Sequence, residues 1–245
     1  MATIETMVSK TVFRRFYPDD SRNGEVAFYG WVRQFTTPRT ILLNLGAGPP
    51  AAREPIRILK GEVARVVGAD IDPEVIRNPE LDEAHVIEED GVLPFPADTF
   101  DIVLSDWVLE HVKAPAQFLK EVWRVLRKGG SFFFRTPNKH HYVALIARMT
   151  PEWFHHRVAN WARGFPPGEH DPWPTYYRFN SRRVINEVGQ RVGFDRIEVK
   201  MWETEPHYLV FHTIPFVMGV GYERMVNSVQ VLSGLRGNIH CRMIK

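Results

Sequence analysis

Short apolar runs separated by turn residues are the main pattern along this chain. The run from Ile41 to Leu45 is apolar except at Asn44, which is typical of a strand buried on both faces. Similar runs predict further strands at 62–69, 84–88, 99–105 and 131–135, and alternating residues predict two closing strands at 196–202 and 207–212. Apolar residues at helical spacing predict helices at 21–35, 115–126, 180–192 and 215–232. Strands and helices in this arrangement indicate an α/β protein.

A glycine turn follows the first predicted strand. Gly46-Ala47-Gly48 lacks large side chains, so backbone N–H groups in this turn can approach a ligand closely. Pro49-Pro50 comes next and suits the first turn of a helix, where a missing N–H costs nothing. A strand, a glycine turn and a helix start are how α/β proteins open a nucleotide site.

An aspartate stands where the second predicted strand should end. Asp70 is placed there to accept hydrogen bonds from a ribose diol, and Asp72 is expected to cap the helix that follows. Together with the spacing Gly46-x-Gly48-x-x-Ala51, Asp70 matches the fingerprint of dinucleotide-binding proteins. The turn and the aspartate therefore predict a nucleotide site without choosing the nucleotide.

Composition and charge narrow the class of protein. Of 245 residues, 44% are hydrophobic and 24% are charged, as in an ordinary globular protein. A net charge of +2 does not favour a nucleic-acid partner, and the single cysteine, Cys241, excludes an internal disulfide. The longest apolar stretch near the end, Tyr208 to Tyr222, is too short to span a bilayer. We therefore expect a cytoplasmic protein with no membrane partner, and a homodimer stays open.

An ordered series of motifs follows the glycine turn. The motifs are Asp90-Gly91, Leu93-Pro94-Phe95, Phe100-Asp101-Ile102-Val103, Leu109-Glu110-His111-Val112, and Arg124-Val125-Leu126 ahead of Gly129-Gly130. In this order they resemble the successive motifs of class I S-adenosylmethionine-dependent methyltransferases. Within that family they are most similar to the small-molecule branch that includes the ubiquinone-pathway methyltransferases. The resemblance covers residues 40–138.

The resemblance implies a fold and a division of the chain. The fold is a Rossmann-like α/β fold with a seven-stranded, mostly parallel sheet and an antiparallel hairpin at one edge. We expect a single domain over residues 1–245. Its parts would be N-terminal lid helices at 1–38, a cofactor-binding half at 39–138, a substrate-cap insertion at 139–180, and closing helices and strands at 181–245. The insertion is dense in Pro, Trp, Tyr and His, and long loops of this kind often cover binding sites.

The resemblance also implies S-adenosylmethionine as the cofactor. The glycines would pass under its amino-acid end, Asp70 would hold the ribose, and Asp90 would accept a hydrogen bond from the adenine. The implied cofactor-binding residues are Asn44, Gly46, Ala47, Gly48, Asp70, Ile71, Asp90, Gly91, Val92, Ser105, Asp106 and Trp107. Two positions depart from the family pattern, because Asn44 replaces the usual acid and Pro50 replaces the usual third glycine.

Three histidines are candidates for the chemistry. Methyl transfer from a sulfonium is an in-line displacement, so the protein mainly aligns the reactants and excludes water. A hydroxyl acceptor also benefits from a general base near neutral pKa, for which histidine is suited. The candidates are His111, for which an orienting role is favoured, and His140 and His141 at the exit of the fifth strand. Adjacent histidines rarely point at one metal, so we expect no metal site.

These observations predict an enzyme that transfers a methyl group from S-adenosylmethionine to a small polar acceptor. A hydroxyl of a sugar, glycan or natural product is the first candidate, and N-methylation or C-methylation stays open. The glycine fingerprint leaves an NAD-dependent oxidoreductase as an alternative, although no Tyr-x-x-x-Lys motif follows it. The departures at Asn44 and Pro50 leave a second alternative, a non-catalytic protein that binds S-adenosylmethionine.

Overall fold

Seven strands form one sheet in the computed structural model, which describes residues 8–50, 54–89, 91–149 and 174–245. In chain order the strands are β1 (Ile41–Leu45), β2 (Arg65–Asp70), β3 (Glu83–Val86), β4 (Phe100–Asp106), β5 (Leu126–Pro137), β6 (Arg196–Trp202) and β7 (Asn238–Ile244). Their order across the sheet is β3-β2-β1-β4-β5-β7-β6. The strand order therefore changes direction at β1, with β2 and β3 added on one side of it and β4 and β5 on the other. Sheets of this kind bind ligands beside that point.

The sheet is parallel except at one edge. β1 pairs in parallel with β2 and β4, β2 pairs with β3, and β4 pairs with β5. β7 runs antiparallel to β5, because Gly129 N donates to Lys245 O and Asn138 N donates to Gly237 O. The predicted mostly parallel sheet with an antiparallel edge is confirmed.

The prediction for the last strand was wrong. Residues 207–212 were expected to form it, but His207–Leu209 is a short 3-10 helix that follows Pro206. The strand is instead β7, at the end of the described chain. Its residues Ile239, Cys241 and Met243 are buried, but His240 and Arg242 alternate with them. This alternation is itself a strand pattern, but no strand was predicted from it at 238–244.

Six helices are described. They are α1 (Lys10–Phe16), α2 (Gly24–Arg33), α3 (Pro115–Val125), α4 (Tyr142–Met149), α5 (Arg182–Val192) and α6 (Thr213–Ser228). The helices predicted at 21–35, 115–126, 180–192 and 215–232 are confirmed with small shifts at their ends. Pro49 and Pro50 lie in a bend and do not begin a helix within the described residues. Asp72 caps the short 3-10 helix Pro73–Arg77 through a hydrogen bond from Glu74 N.

The described chain clusters into two compact units. Unit 1 takes its described residues from 8–27, 138–149, 174 and 201–238, and unit 2 takes them from 28–50, 54–89, 91–137, 175–200 and 239–245. Single-domain organisation stays a prediction. The core of unit 1 includes Tyr17, Phe216 and Val220. No helix among the described residues combines the length and the hydrophobicity that a bilayer crossing requires.

The core of unit 2 fixes the strands on which the candidate site stands. Leu42 of β1, Leu104 of β4 and Phe133 of β5 are almost completely buried together with Phe28 and Val32 of α2. Each fully buried side chain of this size contributes about 1.5–3 kcal/mol relative to an exposed one. On the same unit α3 packs against α5. The carboxyl ends of β1, β2 and β4 are therefore held by well-packed strands.

Candidate active site

The glycine turn follows β1 directly and bonds to the end of β2. Gly46 N donates to Ala69 O over 2.8 Å, and the φ angles of Gly46 and Gly48 are +83° and +67°. A Cβ added at Gly46 would overlap the side chain of Val108. Both the backbone conformation and the space available therefore require glycine at position 46.

Asp70 joins the end of β2 to this turn. One carboxylate oxygen accepts from Gly48 N at 2.7 Å, and the other accepts from Asp72 N at 2.9 Å. Asn78 also donates to Gly48 O, over 3.1 Å. Each carboxylate oxygen has two acceptor positions, so Asp70 retains capacity for two further hydrogen bonds. The predicted pair of glycine turn and acid is thus brought together by direct contacts.

The end of β4 supplies Ser105 and Asp106 on neighbouring positions. Ser105 is buried and its hydroxyl donates to Leu45 O of β1 over 2.9 Å. The buried Asp106 carboxylate accepts from Tyr29 at 3.0 Å and pairs with Arg57 at 2.9 Å. It also pairs with Arg135 through both of its oxygens. Two guanidinium groups therefore meet one carboxylate at the end of this strand.

Burial keeps Tyr29 and His240, two titratable groups near Asp106, uncharged. Burial, followed by the charge of Asp106, raises the pKa of Tyr29 well above its ordinary value. Burial, followed by the charge of Arg135, lowers the pKa of His240 to about 3. Tyr29 is therefore a neutral donor and His240 is a neutral imidazole at physiological pH.

Trp107 stands immediately after β4 in a strained backbone conformation. Its φ angle is +59°, in the left-handed region that bulky residues rarely adopt, and its side chain is 37% exposed. The guanidinium of Arg135 lies 5.3 Å from the centre of its ring. Strained residues of this kind are concentrated at functional sites, which supports a role for Trp107 at the ligand.

Glu110 is a member of the candidate site that the sequence reasoning did not select. Its side chain is only 6% exposed, and its carboxylate accepts from the Thr136 hydroxyl at 3.0 Å. Thr136 in turn accepts from the Asn180 side chain at 2.7 Å. Burial is the main cause that raises the pKa of Glu110 to about 7. The available signal was the Leu109-Glu110-His111-Val112 motif, from which only the histidine was selected.

The three candidate histidines have different surroundings. His111 is half-buried in the 3-10 helix Leu109–His111 of unit 2, and His140 is exposed in unit 1. His141, also in unit 1, is buried, and its Nε2 lies 3.3 Å from Oε1 of Glu203. Glu203 was not selected from the sequence. His141 therefore has a buried carboxylate beside its ring.

The remaining predicted residues occupy the same strand ends or lie outside the description. Asn44 is half-buried in β1, between Gly68 of β2 and Leu104 of β4. Three further predicted residues are Ala47, which is buried in the turn, Ile71, which is half-buried, and Val92, which is exposed. Gly91 has a φ angle of +75°, and Asp90 lies outside the described residues. Among described residues, no three His, Cys, Asp or Glu side chains are grouped as metal ligands.

A family model described as a methyltransferase domain matches residues 43–134. That match begins in β1, contains the glycine turn, Asp70 and Asp106, and ends in β5. Residues 43–134 therefore match a methyltransferase domain, and the chain is similar to class I S-adenosylmethionine-dependent methyltransferases. Its fold agrees, since a methyltransferase from Thermotoga maritima superposes with a TM-score of 0.59 at 13% identity, over 96% of this chain and 93% of that one.

Two further comparisons extend this similarity over more of the chain. The chain is 28% identical to a ubiquinone biosynthesis O-methyltransferase of Cereibacter sphaeroides over 170 residues, which are 65% of this chain and 62% of that protein. The chain thus spans less than two thirds of the curated relatives it matches. Phosphoethanolamine N-methyltransferase 2 of Haemonchus contortus has a TM-score of 0.54 at 15% identity, over 98% of this chain and 59% of that one.

Proposed function

We propose that the protein transfers a methyl group from S-adenosylmethionine to a hydroxyl group of a small polar molecule. The observation that carries the proposal is the direct bonding of Asp70 to the glycine turn at the carboxyl ends of β1 and β2. The names of the ubiquinone-pathway relatives favour oxygen as the acceptor atom. Sugars, glycans and phenolic natural products are the acceptor classes we propose to test.

The residues at the strand ends fit this cofactor. Asp70 would receive the ribose hydroxyls on its unused acceptor positions, and the turn from Gly46 to Gly48 would lie under the amino-acid end. Asn44 would offer a neutral acceptor to the ammonium group, and we propose that Asp90 and Gly91 border the adenine.

The cofactor supplies an electrophilic methyl group, so the chain has to align it and protect it from water. Trp107 and Ser105, at the end of β4, are the residues we propose to border the methionine part and the acceptor. The Asp106 carboxylate, held by Arg57 and Arg135, fixes the backbone from which Trp107 extends. The alignment of the methyl donor with the acceptor thus depends on the buried ion pairs of Asp106 more than on any single exposed group.

We assign the general base for the hydroxyl proton to His141, with His111 in an orienting role. Glu203 lies 3.3 Å from His141 Nε2, and its other oxygen accepts from Gly237 N at 2.6 Å. His141 Nε2 makes no hydrogen bond among the described residues, so the carboxylate would act through its charge on an imidazole that has taken the proton. His140 is exposed and next in sequence, which makes it the matched control.

Binding and turnover test the proposal separately. S-adenosylmethionine, S-adenosylhomocysteine and NAD are each titrated by calorimetry, and methyl-labelled cofactor is then incubated with catechols, sugars, glycans and amines. We expect binding of the first two, none of NAD, and label on a hydroxyl compound. Binding without transfer to any acceptor would support the non-catalytic alternative, and NAD binding alone would support the oxidoreductase.

Variants then test the base. His141→Gln should bind the cofactor normally and lower kcat by about 10²-fold or more, within the usual range for a general base. His140→Gln should leave both the affinity and kcat near those of the wild type. Equal effects of the two substitutions would remove His141 from the mechanism.

A further inference from the structure

Unit 1 contains a pocket of about 350 Å³ in which arginine side chains predominate. Arg15 and Tyr17 contribute from the end of α1 and the residue after it, Arg22 follows from a short 3-10 helix, and Arg224 contributes from α6. Asp19 also lines the pocket. None of these residues belongs to the glycine turn or the strand ends described above.

A buried carboxylate holds two of the arginines in place. Glu223 is only 1% exposed, and it pairs with Arg22 at 3.1 Å and with Arg224 at 3.3 Å. It also accepts hydrogen bonds from Tyr17 at 3.4 Å and from Asn227 at 2.7 Å. Because four partners fix the carboxylate, both guanidinium groups are oriented before any ligand arrives, which lowers the entropy lost on binding.

The residues that line the pocket carry a positive excess. Three arginines face one carboxylate among them, that of Asp19, and Glu223 behind two of the arginines offsets part of this charge, as does Glu205 near Tyr17. Hydrogen bonds from the Ser21 side chain and then from Ser21 N, the latter at 2.9 Å, lower the pKa of Asp19 and keep it ionised. Burial raises the pKa of Tyr17, which stays neutral. Arg15 makes no ion pair with any residue that the structure describes.

We propose that this pocket binds the phosphate group of a small molecule. Guanidinium groups donate paired hydrogen bonds that match phosphate oxygens, and three of them from separate segments suit a tetrahedral anion better than a planar carboxylate. The volume lies at the lower end of the range for small-molecule sites. Tyr17 supplies an aromatic wall beside the anion. The site requires no bound methyl donor and is independent of the proposed methyl transfer.

Calorimetric titration with inorganic phosphate and with glycerol 3-phosphate tests the proposal on the whole protein. Arg15→Gln should weaken the binding of glycerol 3-phosphate by about tenfold or more, because it removes a charge-assisted hydrogen bond. Arg14→Gln is the matched control, since Arg14 is exposed on the same helix but does not line the pocket. The affinity of the Arg14→Gln variant for glycerol 3-phosphate should equal that of the wild type.

Flotation with vesicles distinguishes the source of the phosphate. Binding to phosphatidylcholine vesicles that contain phosphatidic acid, lost in Arg15→Gln, would assign the pocket to a lipid headgroup, whereas binding of soluble phosphomonoesters alone would assign it to a free metabolite. Absence of binding to all phosphate probes at millimolar concentration would overturn the proposal, as would equal weakening by Arg14→Gln. Affinity for S-adenosylmethionine, measured in the same variants, should not change.

Discussion

Asp70 has two tasks, because the same carboxylate that we assign to the ribose also holds the backbone of Gly48 and Asp72. We expect Asp70→Ala to weaken the binding of S-adenosylmethionine by about 10- to 100-fold. One hydrogen bond to a charged group contributes about 1.5–3 kcal/mol, and the loosened turn adds to the loss. Isothermal titration calorimetry measures the dissociation constant directly.

Asp72→Ala is the control for this prediction. Asp72 caps a short helix through Glu74 N, so its loss should lower the free energy of unfolding by about 1 kcal/mol and change the cofactor affinity little. An Asp70→Ala variant that binds the cofactor as tightly as the wild type would remove Asp70 from the site.

Glu110 should make the stability of the protein depend on pH. Burial raises its pKa from 4.5 to about 7 in the folded chain. Between these values the unfolded chain binds fewer protons than the folded one, so stability falls as the pH rises through this window. At about 1.4 kcal/mol for each pKa unit, the loss approaches about 3 kcal/mol. Glu110→Gln should therefore gain stability over the wild type at pH 8 and not at pH 4.5, measured by urea unfolding.

A second glutamate provides a control of opposite sign. Hydrogen bonds from Arg124 lower the pKa of Glu121, so its contribution is present above its unfolded pKa and is lost as the pH falls. Glu121→Gln should therefore be less stable than the wild type at pH 8 and approach it in acid. A stability difference for Glu110→Gln that stays constant from pH 4.5 to pH 8 would contradict the account of Glu110.

Side chains were predictable from the sequence where strand geometry alone places them. Asp70 and Ser105 follow apolar runs, and parallel strands bring their carboxyl ends to one edge. The partnerships of Glu110 and Glu203 were not predictable, because each depends on residues distant in the chain, such as Thr136 and Gly237. Burial of a carboxylate is a property of tertiary packing, and an isolated glutamate in a sequence carries no sign of it.

At the scale of elements, two glycines in or beside helices allow the effect of backbone strain on stability to be measured without a steric overlap. Gly193 ends α5 with a φ angle of +111°, and the nearest atoms to an added Cβ are 3.7 Å away on Trp123. Gly193→Ala should therefore lower the free energy of unfolding by about 1–2 kcal/mol through backbone strain alone. Chemical denaturation followed by circular dichroism measures this change.

The matched control is Gly30→Ala within α2. Gly30 has no atom within 4 Å of an added Cβ and no positive φ angle, so alanine should raise the free energy of unfolding by about 0.5–1 kcal/mol. The two substitutions are chemically identical and should have opposite signs. Two effects of the same sign would contradict the assigned backbone conformation at Gly193.

Elements were predicted well where an apolar run or an alternating pattern was followed, and β7 is the strand that was missed. β1 and β4 are apolar runs, β6 alternates, and all three were expected. β7 lies between β5 and β6 and tolerates His240 and Arg242, because His240 packs edge-to-face against Phe28 and Arg242 bonds to Ser131. Such compensation is created by neighbours in the folded chain, and no local pattern reveals it.

At the scale of the whole molecule, the division into two units was not visible in the sequence. Unit 1 gathers three stretches that are far apart in the chain, and its core joins Tyr17 to Phe216 and Val220. The sequence motifs end near residue 138, where unit 2 gives way to unit 1. Ordered family motifs therefore predicted the part of the molecule that carries β1 to β5, and residue patterns predicted β6 and the later helices.

Hydrogen exchange can locate the two proposed sites on the intact protein. A ligand that binds only the folded state slows the opening of the segments that it contacts. S-adenosylmethionine should slow exchange in peptides that cover 44–48 and 70–72 of unit 2, and Asp70→Ala should abolish this protection. Glycerol 3-phosphate should slow exchange at 15–24 and 222–228 of unit 1 without the cofactor, and Arg15→Gln should abolish that effect. Cofactor binding that leaves 44–48 and 70–72 unprotected would place the methyl donor elsewhere, whatever the phosphate does.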